Sequence, residues 1–391
     1  MIENLHTYID TVTAFSFWLA LVLLGYTYIG YPALLALISK FFTRDRVASD
    51  IEPSVSIIIT ARNEELHIQR KLQNTIEIDY PRNKFEVLVV SDFSDDGTDS
   101  IVGQFTDKGV RLIRPDRRLG KTAAQNLAVE NAVGEILVFT DATTEYPKGI
   151  LRTLLPRFAD PDVGCVAGRL RYVDESGSSI GRNSSGYWDY ETLIKQKESD
   201  ICSLIGVSGC LYAVRRNAYV PMYAEACSDF LIASVMYKQG LVTVFEPDAV
   251  CSEVTNIEGR KEFNMRVRII AQTLSDLWRN RTTLNPFRTG FFAIQLISHK
   301  ILRYMVPFLL LTLFLTSLEL ALNSTLYLVV FVFQVIFWLV ALAGLELERR
   351  KIACNLVSYP AYFALLNAAT VMGLYKFLNG ETFSQWEPSR T

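Results

Sequence analysis

Val55-Ser56-Ile57-Ile58-Ile59-Thr60-Ala61-Arg62-Asn63-Glu64 is an apolar, β-branched run that stops abruptly in polar residues. It predicts a strand over Val55–Thr60, buried on both faces because apolar and polar residues do not alternate. Phe85–Ser91, Arg111–Arg114 and Glu135–Thr140 have the same texture, and the helical stretches Glu64–Ile76, Thr98–Phe105 and Lys121–Val133 separate them. Strands alternating with helices predict an α/β fold with parallel pairing through right-handed crossovers. Such open sheets bind ligands beyond the carboxyl ends of their strands. Polar clusters stand at three of those ends: Ala61-Arg62-Asn63-Glu64, then Asp92-Phe93-Ser94-Asp95-Asp96-Gly97-Thr98, then Asp141-Ala142-Thr143. The glycine patterns of dinucleotide and P-loop sites do not occur there.

Outside this region the chain changes character. Half of its 391 residues are hydrophobic, 20% are charged, and mean hydropathy is +0.20. Phe15–Ile38, Leu326–Leu345 and Ile352–Tyr375 carry no charge, and Tyr304–Leu318 is a shorter apolar run ending at Glu319. A bilayer core needs about 20 helical residues, so one N-terminal and three C-terminal transmembrane helices are expected. Lys40, Arg44, Arg46, Lys300, Arg303, Arg349, Arg350 and Lys351 flank these runs. Basic flanks mark the cytoplasmic side. They predict residues 1–14 outside, a span over 15–38, a cytoplasmic domain over 39–303, three spans within 304–375, and a tail, 376–391, outside. If one weak segment is re-entrant or interfacial, the tail moves inside.

A net charge of −2 gives no electrostatic case for a nucleic-acid partner. Six scattered cysteines, none in a C-x-x-C pair, and three histidines make a disulfide framework or structural zinc site unexpected.

The strand-end residues suit phosphate and sugar chemistry. Asp92 can accept hydrogen bonds from a ribose or base edge, with helix capping by Asp95, Asp96 or Thr98 as the plainer role of its neighbours. Gly120-Lys121 opens a helix, where free amides and the dipole favour an anion. Asp141 ends a buried strand and offers a hard oxygen ligand to a divalent cation, or caps the strand. Asp229, in Cys227-Ser228-Asp229-Phe230, can serve as a general base or as an N-cap. Glu262–Trp278 reads as an amphipathic helix. On it Arg266 and Arg268 lie roughly 200° apart, so at most one should meet a phosphate. Phe291–Ile297, ending at His299-Lys300, reads as a helix lying in the headgroup layer.

Together these residues resemble the membrane-embedded family 2 glycosyltransferases of GT-A fold, of the hyaluronan, chitin, cellulose and poly-N-acetylglucosamine synthase type. The resemblance covers roughly residues 53–305 and implies a Rossmann-like GT-A domain that uses a UDP-sugar. Ala61, Asn63 and Glu64 resemble the nucleotide-contacting turn, and Asp92 the uridine-binding carboxylate. Lys121, with Ala124 and Asn126, resembles the donor-binding G-K-x-x-A-x-N segment. Asp141 stands where the family binds Mg²⁺ or Mn²⁺ through D-x-D. Gly206, Ser208 and Gly209 resemble the acceptor loop, and Asp229 the second member of the pair that carries the catalytic base. The resemblance also implies a pyrophosphate contact for Arg266 or Arg268.

Two departures stand out. Thr143 replaces the second Asp of D-x-D, which predicts weaker metal affinity. The Q-x-x-R-W of processive synthases is missing, and Trp188 could replace its acceptor-holding aromatic. The expected activity is inverting transfer to an exported polysaccharide, with a membrane partner subunit or homo-oligomer completing the export path. The alternative is a single addition to a polyprenol-linked or glycolipid acceptor among membrane lipids. A membrane scaffold or sensor that has lost activity is the third reading.

Overall fold

The computed structural model describes residues 2–385 except 45, 174–178, 255–258, 351 and 353; the side chains of 2–7, 179–188, 355 and 356 also lie outside the description. Seven strands form one sheet: β1 (Val55–Ala61), β2 (Phe85–Ser91), β3 (Val110–Ile113), β4 (Ile136–Asp141), β5 (Val163–Val173), β6 (Leu211–Arg215) and β7 (Val242–Val254). Their order is β3-β2-β1-β4-β6-β5-β7. The first four pair in parallel, as predicted. β6 runs antiparallel to both β4 and β5, and β7 returns parallel to β5.

Every residue of β1 is buried. Ile57 and Ile59 join the core on one face, with Ile68 and Leu72 of α3 (Ile68–Ile76), Val102 of α4 (Thr98–Gly103) and Leu151 of α6 (Ile150–Leu154). Ile58 points to the other face. There it meets Ala124 and Ala128 of α5 (Lys121–Asn131) and Ile232 and Met236 of α8 (Ser228–Lys238). Two covered faces explain the unbroken apolar strands. α3 starts at Ile68, four residues later than predicted, because the chain first turns at Asn63, whose φ is +50°.

Four helices are long and apolar enough to cross a membrane, one N-terminal and three C-terminal: Tyr8–Ile38, Phe291–Leu320, Thr325–Arg349 and Val357–Leu378. The first joins α1 (Ile2–Gly25) to α2 (Tyr31–Ile38) through a π turn. α7 (Ser179–Ile201) and α9 (Gly259–Arg279) connect these helices to the sheet domain. A short α10 (Pro286–Thr289) leads into α11 (Phe291–Leu296), α12 (Leu302–Leu320), α13 (Thr325–Arg349) and α14 (Asn355–Leu378). Phe17 and Ala20 of α1 pack against Leu313 and Leu320 of α12.

One expectation needs correction. Phe291–Ile297 does not lie alone in the headgroup layer. It continues through a π turn into α12, and Phe292 and Leu296 are fully buried against Leu277, Phe230 and Cys202. The described residues after α14 lie against the sheet domain. α14 packs along α9, with Gly373 so close to Ile270 that a Cβ would come within 2.8 Å of it. Beyond α14, Gln272 Nε2 of α9 donates to the Phe383 carbonyl at 2.6 Å. Residues 383–385 thus line the same cavity as the strand-end residues.

Candidate active site

The carboxyl ends of β1 and β4 open into a cavity of about 330 Å³, while the turn after β2, with Asp92, stands behind its wall. Asn63 shapes its rim. Its left-handed backbone places its amide 3.1 Å from Ser94 Oγ, and its side chain accepts the Asp95 amide at 3.0 Å. Arg62 donates to the carbonyls of Asp92 and Phe93, while the buried Ala61 accepts the Asp92 amide at 2.8 Å. Asp92 is fully buried, and its carboxylate accepts the amides of Leu119 at 2.6 Å and Gly120 at 3.0 Å. Asp92 therefore anchors the loop that precedes α5. Asp96 precedes the N-cap Gly97 of α4 and accepts the Thr98 amide at 3.0 Å. Gly120 must be glycine twice over: its φ is +91°, and a Cβ would come within 1.8 Å of the Ser384 carbonyl.

That loop delivers Lys121 to the centre. Lys121 Nζ lies 2.5 Å from Asp141 Oδ1 at the end of β4. Around Gly209, on the loop before β6, three groups converge. The position of its missing Cβ is 3.1 Å from Lys121 Nζ, 3.2 Å from Asp229 Oδ2 and 3.7 Å from Asp141 Oδ2. Burial disfavours the Lys121 charge, but Asp141 and Asp229 outweigh it and raise its pKa. Glu64, Gly206, Ser208 and Arg268 line the same cavity. Burial lowers the pKa of Arg268, against the pull of Cys227, Asp229 and Asp141. Arg266 lines the cavity too, and there it pairs with Glu262 at 2.8 Å and donates to the Tyr362 hydroxyl of α14 at 3.2 Å. The side chain of Trp188 lies outside the described residues.

Asp229 opens α8. Its Oδ1 takes the Cys227 thiol at 2.9 Å and the Phe230 amide at 3.0 Å, which leaves Oδ2 toward Gly209. Its carbonyl accepts the Val207 amide at 2.8 Å, tying the 206–209 loop to the helix.

Sequence reasoning missed three supporting groups. Glu253 of β7 accepts the Thr143 hydroxyl at 2.6 Å and the Cys210 thiol at 3.1 Å. Asp141, Cys210 and Glu253 offer ligand atoms within 4.8 Å of one another. Thr143 thus binds a carboxylate where a D-x-D motif would carry one. Lys71, fully buried beneath this loop, donates to Thr140 Oγ1 at 2.8 Å and to the Thr144 carbonyl at 2.7 Å; burial pushes its pKa down to about 7. Asp276 of α9 accepts the Cys227 amide at 2.9 Å and the Tyr223 hydroxyl, and burial raises its pKa to about 7. The only sequence signal for these was a charged residue inside an otherwise apolar helix face or strand.

Comparison with known proteins agrees with this geometry. The glycosyl transferase family 2 profile matches residues 56–219. Glycosyltransferase AglE of Haloferax volcanii is 31% identical over 38% of this chain and 48% of its own length. A β-monoglucosyldiacylglycerol synthase of Synechocystis is 32% identical over 32% of this chain and 27% of its own. The chain therefore matches less than half the length of these curated relatives. A mannosyltransferase of Pyrobaculum calidifontis, solved with GDP-mannose and Mn²⁺, shares the fold with a TM-score of 0.71 and 24% identity, over 94% of this chain and 99% of that one. Residues 56–219 thus resemble the glycosyl transferase family 2 domain, and the sheet that contains them has the GT-A fold.

Proposed function

We propose that the chain is an inverting glycosyltransferase that moves a sugar from a nucleoside diphosphate, UDP-linked as the motifs imply, to a lipid-linked acceptor at the cytoplasmic surface of the cell membrane. The convergence of Lys121, Asp141 and Asp229 on Gly209 carries this reading. Lys121 and Arg268 hold the donor diphosphate. Asp229 Oδ2 takes the proton of the acceptor hydroxyl, whose oxygen attacks the anomeric carbon from the face opposite the diphosphate. The bond from that carbon to the phosphate oxygen breaks, and its electron pair leaves with the nucleotide. The donor set of Asp141 and Glu253 fits Mg²⁺ or Mn²⁺, since both supply hard oxygen ligands. Such an ion would neutralise charge on the departing diphosphate.

A lipid acceptor fits better than the exported polysaccharide expected first from sequence. A cavity of about 570 Å³ among α12, α13 and α14 is lined by residues such as Pro307, Leu311, Phe314, Trp338, Leu342 and Val371. Such a wall suits an acyl or prenyl tail and offers little to glycan hydroxyls. The named activity of the Synechocystis relative, on diacylglycerol, points the same way. The test is to incubate membranes carrying the protein with radiolabelled UDP-sugars and GDP-mannose and to size the product. One sugar per lipid is expected; a polymer would restore the polysaccharide reading, and no transfer from any donor would remove both.

A further inference from the structure

Residues 219–227, which lead into Asp229, form neither helix nor strand. Such a segment must find other partners for its backbone groups. Five of those groups go to side chains on two flanking helices. From α5, Asn126 Nδ2 donates to the Met222 carbonyl at 2.6 Å, and Asn126 Oδ1 accepts the Met222 amide at 3.2 Å. One turn earlier, Thr122 Oγ1 donates to the Ala226 carbonyl at 2.6 Å. From α9, Gln272 Nε2 donates to the Glu225 carbonyl at 3.3 Å, and Asp276 accepts the Cys227 amide at 2.9 Å. Two tyrosines of the segment bond the same helices. The Tyr219 hydroxyl donates to Asn126 Oδ1 at 2.8 Å, and the Tyr223 hydroxyl donates to Asp276.

The α5 arm of this clamp begins where the Leu119–Gly120 loop ends. Thr122 follows Lys121, which meets Asp141 at the centre of the cavity. Thr122 is buried in the cavity wall, and Asn126, one turn on, shares its helix face but is not part of the lining. The G-K-x-x-A-x-N resemblance implies a donor contact for the segment that ends at Asn126. Both polar atoms of the Asn126 side chain bond Tyr219 and Met222 instead. One helix therefore fixes both the lysine assigned to the diphosphate and the segment that ends at the general base. The two must flank the anomeric carbon from opposite sides, and a misplacement of about 1 Å can cost about 100-fold in rate.

We infer that Thr122 and Asn126 are positioning residues for Asp229. Through residues 219–227 they set the base at the distance from Lys121 that in-line transfer requires, and Asn126 takes no part in binding the donor. Neither residue touches the reacting atoms. The inference rests on the proposed glycosyl transfer with Asp229 as its base.

The test uses the full-length protein. T122V keeps the shape of Thr122 and deletes its hydroxyl, T122S keeps the hydroxyl, and N126A removes three bonds at once. Hydrogen exchange, read by mass spectrometry on detergent-purified protein without substrate, comes first. Amides of residues 219–230 should exchange about tenfold faster or more in T122V and N126A, while β1 to β4 keep the parental rates. T122S should match the parent. Unchanged exchange over 219–230 in both variants overturns the proposal. Faster exchange throughout the sheet in both would make the two residues general supports of the fold, and also overturns it.

Binding and turnover form the second arm. Calorimetry with UDP and with GDP, each with Mn²⁺, should give a Kd within about twofold of the parent for every variant, because the donor end is untouched. The kcat, measured as label moved to membrane lipid from the donor that the parent uses, should fall about tenfold or more in T122V and N126A and return in T122S. In a D229N background T122V should lower the remaining rate by less than about twofold, since residues that act as a unit are not additive. A weaker nucleotide Kd with kcat unchanged would return Asn126 to the donor site, and a full further loss in the D229N background would separate Thr122 from the base; either overturns the proposal. A D229N enzyme as active as the parent, or a parent that transfers no sugar, defeats the underlying reading instead, and the exchange result still decides whether α5 holds the segment.

Discussion

The two ends of the catalytic cavity are built differently. The donor end is assembled from neighbours on one sheet: Asp92, just past β2, anchors the Leu119–Gly120 loop, and Lys121 meets Asp141 on β4. The membrane end takes Tyr31, Glu191, Glu198, His299 and Arg303 from three separate stretches of helix. The end proposed to take the donor is held by backbone amides. The membrane end relies on long side chains whose charges balance only as a set, so it can be retuned without disturbing the sheet.

Substitutions that strike one end and spare the other sharpen this contrast. Asp229→Asn should have the largest effect, lowering kcat by about 10²–10⁴-fold, the usual contribution of a general base. Nucleotide binding, read by calorimetry, should persist; an equally active variant removes Asp229 from the mechanism. Asp92→Ala should come next. It leaves two loop amides without a charged acceptor, at a cost of about 1–3 kcal/mol. Donor Kd should rise by about tenfold or more, and an unchanged Kd would break the link between the buried carboxylate and the donor.

Glu253→Gln should shift the metal titration of activity to roughly 10-fold higher concentration, the low end for losing a supporting ligand group. An unchanged titration would leave Asp141 as the sole acidic ligand. Lys71→Met tests the floor of that loop. With a folded pKa of about 7 and an unfolded value of about 10.4, Lys71 binds fewer protons folded than unfolded between those limits. Its contribution to stability therefore rises with pH from about 7 to about 10. The variant should flatten that part of the Tm–pH curve, and a curve of unchanged slope would assign Lys71 an ordinary pKa. The smallest effect should come from Arg266→Gln, which loses its contacts to Glu262 and Tyr362 and should lower Tm slightly with donor KM unchanged. Arg268→Gln should instead raise donor KM. The reverse pattern would exchange the roles of the two arginines.

The same contrast explains how much could be read from the sequence. β1 to β4 and the clusters at their ends were legible because strand, turn and ligand residue are consecutive, as in Thr60–Glu64. The pairing of β5, β6 and β7 was not, because antiparallel insertion of β6 depends on contacts between segments tens of residues apart. Glu253 was invisible for the same reason: only folding brings it to Thr143. Asp92 stood out in the sequence as a strand-end carboxylate, yet its partners, two backbone amides, leave no trace in side-chain pattern. Helical geometry set Arg266 and Arg268 apart, yet both line the cavity, and only Arg266 hydrogen-bonds Tyr362 of α14.

The seating of the Ser384 carbonyl beside Gly120 couples two distant stretches of the polypeptide. The segment after α14 closes one wall of the cavity, held there by Gln272 through the Phe383 carbonyl. Any side chain at position 120 would push that segment away, so the loop that carries Lys121 and the chain more than 250 residues beyond it can change only together.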